Sequence, residues 1–169
     1  THLNPSIVNI FGANTNVVVR EPQQLCVPVR KNNQAIPAAV LQLIQWIDLK
    51  CYRVEAPAAF NANIQLHHFN PLWAAIAPQM AQFQALPPNQ LCVPVAKNGQ
   101  IPPAAVRPIV QYSDVLCYRV QAAALNQALT LRHLNPLFVA MGLQPENVVV
   151  GGTTELCVPV AKNGNFPPG

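Results

Sequence analysis

The sequence predicts a mainly β protein made of tandem, small, disulfide-linked β-modules of about 65 residues, sandwich- or barrel-like, with proline-rich connectors. Three observations predict this class. A cysteine motif recurs at a fixed spacing, apolar segments alternate with turn residues, and the composition is rich in proline and poor in charge.

The internal repeat is the strongest of these signals. "LCVPVAKNG" occurs at 91–99 and again at 156–164, and the variant "LCVPVRKNN" stands at 25–33. "CYRV" occurs at 51–54 and 117–120, so equivalent cysteines lie 65 or 66 residues apart. The chain therefore divides into an incomplete first unit at 1–33, a second unit at 34–99 and a third unit at 100–169.

Composition excludes several classes of protein. Only 9% of the residues are charged, against about 25% in an ordinary soluble domain. The net charge of +4 comes from scattered side chains and not from the basic stripe of a nucleic-acid-binding protein. No apolar stretch reaches the roughly 20 residues of a membrane span. We therefore expect no nucleic-acid partner and no membrane span.

Alternation and turn residues predict about four strands in each unit. In the third unit the strands are expected at 117–121, 128–134, 147–150 and 156–160. The segments 17–29 and 148–160 are each predicted to form a hairpin, with Pro22 or the Gly151-Gly152 pair in the turn. The proline of each "CVPV" lacks an N–H and should place its strand at an edge or end its pairing there. Pro108 excludes a long helix repeated at 36–49 and in its counterpart.

The five cysteines stand singly in apolar strands and never as Cys-x-x-Cys, which argues against a zinc or redox motif. Their fixed places in each unit favour disulfides, which small modules commonly use for stability. Disulfides predict an oxidising environment, so the expected localisation is extracellular or at the cell surface.

The alternation of a Cys-Tyr-basic-Val strand with a Leu-Cys-x-Pro-Val-x-Lys strand resembles a family of secreted bacterial tandem repeats of unknown function. The matching residues are "CYRV" at 51–54 and 117–120 and "LCVPVAK" at 91–97 and 156–162. The resemblance implies exported or cell-surface modules with no assigned chemistry. This chain departs from the family pattern, which usually has Asn where Val27, Val93 and Val158 stand.

The same resemblance implies a disulfide from each Cys-Tyr strand to the next Leu-Cys strand, hence Cys51–Cys92 and Cys117–Cys157. Cys26 then remains unpaired or bonds to another subunit. The residues alone leave a second pairing open, Cys26–Cys51 with Cys92–Cys117, and geometry has to decide between the two.

No catalytic constellation stands out. Of six acids only Asp48 and Asp114 repeat, next to the Cys-Tyr strand, where a strand-end hydrogen bond or a pair with a nearby arginine explains them. There is no Gly-x-Ser-x-Gly elbow and no glycine-rich phosphate loop. We expect no enzyme activity, no cofactor and no metal site.

The function expected from this organisation is that of an extracellular structural repeat protein. It would be a subunit of a filament or cell-surface fibre that binds copies of itself head-to-tail, by strand complementation, by disulfides through Cys26, or by both. The alternative is a secreted or surface binding module, an adhesin or glycan-binding domain. Its aromatic side chains would stack on a cell-surface glycan; the candidates are Trp46, Tyr52, Trp73, Tyr112 and Tyr118.

Overall fold

The structure is a computed structural model that describes residues 7–9, 12–14, 17–55, 60–66, 81–121 and 124–162. In these residues the chain is mainly β, as predicted, with short helices between the strands. The strands are β1 (Ile7–Asn9), β2 (Gly12–Asn14), β3 (Val18–Cys26), β4 (Val29–Lys31), β5 (Leu49–Glu55), β6 (Ala62–Leu66), β7 (Ala81–Pro94), β8 (Val115–Gln121), β9 (Ala124–His133), β10 (Glu146–Gly152), β11 (Glu155–Pro159) and β12 (Ala161–Lys162). The helices are α1 (Ala38–Ile44), α2 (Arg107–Val110) and α3 (Pro136–Ala140).

The largest sheet has six strands. Five of them follow the order β11-β8-β7-β5-β3, each antiparallel to its neighbours, and β6 pairs with β7 beside this path. The Leu-Cys strands β3, β7 and β11 therefore alternate with the Cys-Tyr strands β5 and β8. This sheet crosses the boundaries predicted at 33/34 and 99/100, and the folding of the three units as separate modules stays a prediction.

The other strands of the described residues form two three-stranded sheets, in the orders β12-β1-β2 and β10-β9-β4. Strand β4 follows the first Leu-Cys strand, yet it pairs with β9 of the third sequence unit, with Val29 opposite His133. Residues that are about 100 positions apart in the chain thus share a sheet.

Both predicted hairpins are wrong. Strand β3 continues through Pro22, where the pairing with β5 shifts register on both sides, so the proline marks an irregularity in one strand. Strand β10 pairs with β9 and β11 pairs with β8, in different sheets. Neither Gly151 nor Gly152 has the positive φ that a tight hairpin turn needs. Partners outside the expected hairpins, β5 for β3, β9 for β10 and β8 for β11, therefore override both local turn signals.

Pro94 and Pro159 of the Cys-Val-Pro-Val segments, and Pro108, act as predicted. Pro94 and Pro159 are the last residues of β7 and β11, because a residue without an N–H cannot continue the ladder. Helix α1 has seven residues and α2 only four, with Pro108 in the first turn of α2, where its missing N–H costs nothing. Neither equivalent segment forms a long helix.

The two faces of the six-stranded sheet differ, because successive side chains in a strand point to opposite sides. One face carries the apolar core, which includes buried Val54, Leu91, Leu116, Tyr118 and Val158. The other face carries a separate buried cluster of cysteines, described next.

Candidate functional site

Two disulfides link neighbouring strands of the six-stranded sheet. They join Cys51 to Cys92, between β5 and β7, and Cys117 to Cys157, between β8 and β11. In each pair the two residues stand directly opposite each other in the antiparallel register. These are the two bonds that the family resemblance implies.

The five sulfur atoms form one row along a single face of the sheet. The Cys26 Sγ lies 3.7 Å from the Cys51 Sγ, and the Cys92 Sγ lies 3.7 Å from the Cys117 Sγ. The register explains these contacts. Cys26 is opposite Leu49, two residues before Cys51, so both cysteines point to the same face. The cysteines of the alternative pairing, Cys26 with Cys51 and Cys92 with Cys117, are thus also neighbours.

The row is buried in the middle and open at both ends. Cys51, Cys92 and Cys117 are at most 2% exposed. Cys26 on β3 and Cys157 on β11 are exposed, and Cys26 is the free cysteine of the described residues. A thiol or disulfide from outside could reach only the two ends.

A row of polar side chains runs beside the sulfurs. Gln24, Gln90 and Glu155 each stand two residues before a Leu-Cys cysteine. The Gln24 Nε2 donates to the Gln90 Oε1 at 2.6 Å, and the Gln90 Nε2 donates to the Glu155 Oε1 at 3.0 Å. Sequence reasoning missed this row, although the 65- to 66-residue spacing of its members could have revealed it.

The free thiol is held in its protonated form. Partial burial of its sulfur against Cys51, together with the negative charge of Glu155, raises the pKa of Cys26 above its ordinary value. A protonated thiol is a poor nucleophile, so Cys26 is expected to react slowly at neutral pH.

In the described sheet, the outer strand β3 lacks a neighbouring strand on one side. Leu25 on β3 is 48% exposed, whereas its equivalent Leu91 on β7 is 3% exposed. Cys26 is exposed, whereas its equivalent Cys92 is buried. Strand β7 has a Cys-Tyr strand on each side, and β3 has one only on the side of β5. The described part of the chain therefore leaves one edge of β3 uncovered.

A buried ion pair fixes the entrance to β5. Asp48 is 3% exposed and pairs with the Lys97 ammonium, which lies over the Phe138 ring at 4.5 Å from its centroid. The Asp48 carboxylate also accepts from the Nδ2 of Asn135, the N-cap of α3. The sequence predicted a strand-end hydrogen bond or a pair with an arginine for Asp48; the charged partner is this lysine instead.

Charged side chains on β3 and β5 form an exposed network. Arg20 donates to Glu55 at 2.7 Å, and Arg53 bridges Glu21 at 2.7 Å and Glu55 at 2.8 Å. Hydrogen bonds from the arginines hold the pKa values of Glu21 and Glu55 below the ordinary range. The network favours this strand register but contributes little stability, because exposed ion pairs are screened by water.

The aromatic side chains do not form an exposed strip in the described residues. Tyr118 is fully buried, with its ring centroid 4.9 Å from that of Phe60, and Trp46, Tyr52 and Tyr112 are half-buried. Trp73 lies outside the described residues. The glycan-binding alternative therefore gains no support from these side chains.

One group of possible metal ligands occurs in the described residues. Ligand atoms of Cys117, Glu155 and Cys157 lie within 4.8 Å of one another. The two sulfurs are bonded to each other, so neither is available as a thiolate ligand. This group is part of the disulfide row and makes no separate metal site.

The chain was compared with protein families, curated proteins and solved structures. No protein-family model, curated protein or solved structure matches this chain. In the described residues, none of the helices has the length and apolar character to cross a membrane. Function has to be inferred from the sulfur row and the sheet edges.

Proposed function

We propose that the protein is an extracellular structural repeat protein, a non-enzymatic subunit of a filament or cell-surface fibre that belongs with the secreted tandem-repeat family it resembles. A further Cys-Tyr strand adds to the open edge of β3, and Cys26 forms a disulfide with that strand. The observation that carries the proposal is the exposure of Leu25 and Cys26 on the outer strand β3, whose equivalents on the inner strand β7, Leu91 and Cys92, are buried.

The alternation of strand types defines what fits at this edge. Cys92 and Cys157 each bond to a Cys-Tyr cysteine directly opposite in an antiparallel neighbour. Applied to β3, the same arrangement places a Cys-Tyr strand on the free side, with its cysteine opposite Cys26. The disulfide pattern of the sheet would then continue by one more strand.

Strand direction sets a condition on head-to-tail assembly. Because every neighbouring pair is antiparallel, the outer strands β3 and β11 run in the same direction and are both of the Leu-Cys type. Direct contact of β11 with β3 of another copy would make a parallel pair and break the alternation. A Cys-Tyr strand between the two copies would restore both direction and type. Because β5 and β8 already have a partner strand on each side, this strand would come from residues beyond 1–169 or from a chain of another kind.

Apolar burial and a covalent bond would stabilise this contact together. Covering Leu25 to the extent of Leu91 removes about half of a leucine side chain from water, which is worth roughly 1 kcal/mol. Strand addition also satisfies the row of backbone groups on the outer edge of β3. The disulfide would then make the contact permanent in an oxidising environment, with which the two intramolecular disulfides are consistent.

A strand peptide tests the proposal. The seven-residue peptide VLCYRVQ, which copies β8, is mixed with the native protein in a glutathione redox buffer, and the products are separated without reductant. We expect a one-to-one adduct in which the peptide cysteine is bonded to Cys26. A scrambled peptide of the same composition and a Cys26→Ala protein are the matched controls. Equal yields with the ordered and scrambled peptides would contradict strand complementation.

A further inference from the structure

The five sulfur atoms of the row are close enough for thiol–disulfide exchange between neighbouring strands. Each of the two disulfides has in contact with it a cysteine sulfur that does not belong to that disulfide, and in each case the contact is 3.7 Å. For the first disulfide this sulfur is the free thiol of Cys26, and for the second it is Cys92, which is itself bonded to Cys51.

We propose that the row is a thiol–disulfide relay that transfers the free thiol from Cys26 on β3 to Cys157 on β11. Cys157 is thereby a second site of covalent attachment, for a thiol or disulfide of another chain. The inference goes beyond the filament function and does not depend on it, because all five sulfurs belong to one chain.

The first step is a displacement on the first disulfide. The Cys26 thiolate attacks the Cys51 Sγ, the Cys26–Cys51 bond forms and the Cys51–Cys92 bond breaks. The electron pair of the broken bond leaves on the Cys92 sulfur, and the proton lost by Cys26 goes to water. Nucleophile, attacked sulfur and leaving sulfur follow each other in strand order β3, β5, β7, which is the order that an in-line displacement requires.

The second step repeats the first on the next pair. The Cys92 thiolate attacks the Cys117 Sγ, the Cys92–Cys117 bond forms and the Cys117–Cys157 bond breaks. The Cys157 sulfur leaves as a thiolate and takes a proton from water. Two disulfides and one free thiol exist before and after, so the relay needs no oxidant or reductant.

Burial restricts outside reactants to the two ends of the row. Cys51, Cys92 and Cys117 are inaccessible, so the intermediate thiol on Cys92 is shielded. The exposed residues Cys26 and Cys157 are the terminal positions. A single thiol can thus serve either edge strand of the sheet, and its raised pKa keeps exchange slow near neutral pH.

Thiol mapping tests the relay. The native protein is incubated without reductant or denaturant at pH values from 7 to 10, quenched in acid, alkylated with N-ethylmaleimide and digested without reduction. We expect alkylation to move from Cys26 to Cys157 with time, together with new Cys26–Cys51 and Cys92–Cys117 peptides. Incubation at tenfold different protein concentrations should give the same rate, because the transfer is intramolecular.

The matched control is Cys26→Ala, which changes an exposed side chain and removes the attacking thiol. Alkylation of Cys157 should be lost in this variant, and both original disulfides should persist. The relay is wrong if Cys26 remains the alkylated residue of the native protein at high pH. It is also wrong if transfer stops at Cys92, depends on concentration, or occurs in Cys26→Ala.

Discussion

Replacing Cys92 by Ala tests whether the sulfur row gives Cys51 a second partner. In the chain-entropy model, the bond across the 41-residue separation of Cys51 and Cys92 contributes about 4 kcal/mol to the free energy of unfolding. The variant leaves the Cys51 thiol 3.7 Å from the Cys26 thiol, across a separation of 25 residues. A bond between these two would contribute about 3.5 kcal/mol by the same model.

Oxidised Cys92→Ala should therefore keep most of its cross-link stability. Loss of the buried Cys92 sulfur costs roughly 1 kcal/mol of packing. The double variant Cys26→Ala/Cys92→Ala suffers the same packing loss and has no partner for Cys51. We expect it to be about 3.5 kcal/mol less stable than Cys92→Ala, because the difference between the variants isolates the new bond.

Urea unfolding in a glutathione redox buffer, followed by circular dichroism, measures both free energies of unfolding. Cys26→Ala alone is the control and should change stability by less than about 0.5 kcal/mol, since the residue is exposed. Peptide mapping of oxidised Cys92→Ala should show the Cys26–Cys51 bond. Equal stability of the two Cys92 variants, or an alkylatable Cys51 in oxidised Cys92→Ala, would refute this reasoning.

Three further outcomes are expected. Asp48→Ala leaves the Lys97 ammonium buried without its partner. In urea titrations the free energy of unfolding should fall by about 3–5 kcal/mol. A loss below about 1 kcal/mol would show that the ion pair does not stabilise the fold. Alkylation of Cys26 should reach half its maximal rate at a pH above 9.0. Glu155→Gln should lower the pH of this midpoint because it removes a negative charge near the thiol. An unchanged midpoint would contradict the role of Glu155. Because the pKa of Cys26 is higher in the folded state than in the unfolded state, the free energy of unfolding should fall as the pH rises past 9.0. Gly99→Ala, at φ +74° in an open turn, should cost roughly 1 kcal/mol through backbone strain alone and lower the melting temperature, whereas no change would show that the turn relaxes.

The local features of the fold could be predicted from the sequence because they depend on neighbouring residues. Alternating apolar positions indicated the strands, and Pro94 and Pro159 end theirs as their missing N–H groups require. The pairing partners could not be predicted this way. Pro22 and the Gly151-Gly152 pair are local turn signals, but β3 pairs with β5, β10 pairs with the preceding strand β9, and β11 pairs with β8.

The candidate site was predictable only in part for the same reason. The spacing of the cysteines indicated regular pairing, and the family resemblance implied which cysteines bond and hence that Cys26 is left over. The contact between Cys26 and Cys51 depends on a two-residue offset between β3 and β5, which is a property of the sheet register. Likewise, Lys97 reaches Asp48 because β5 and β7 are neighbours, a relation that the sequence does not state.

The bonding state of Cys26 in native material tests the central claim most directly. The assembly would be isolated with free thiols blocked at once, digested without reduction and mapped by mass spectrometry. The account predicts that Cys26 is linked to the cysteine of a Cys-Tyr strand from another chain or from beyond residues 1–169, and that reduction releases smaller species. A monodisperse monomer of 18.3 kDa in which the blocking reagent occupies Cys26 would contradict it.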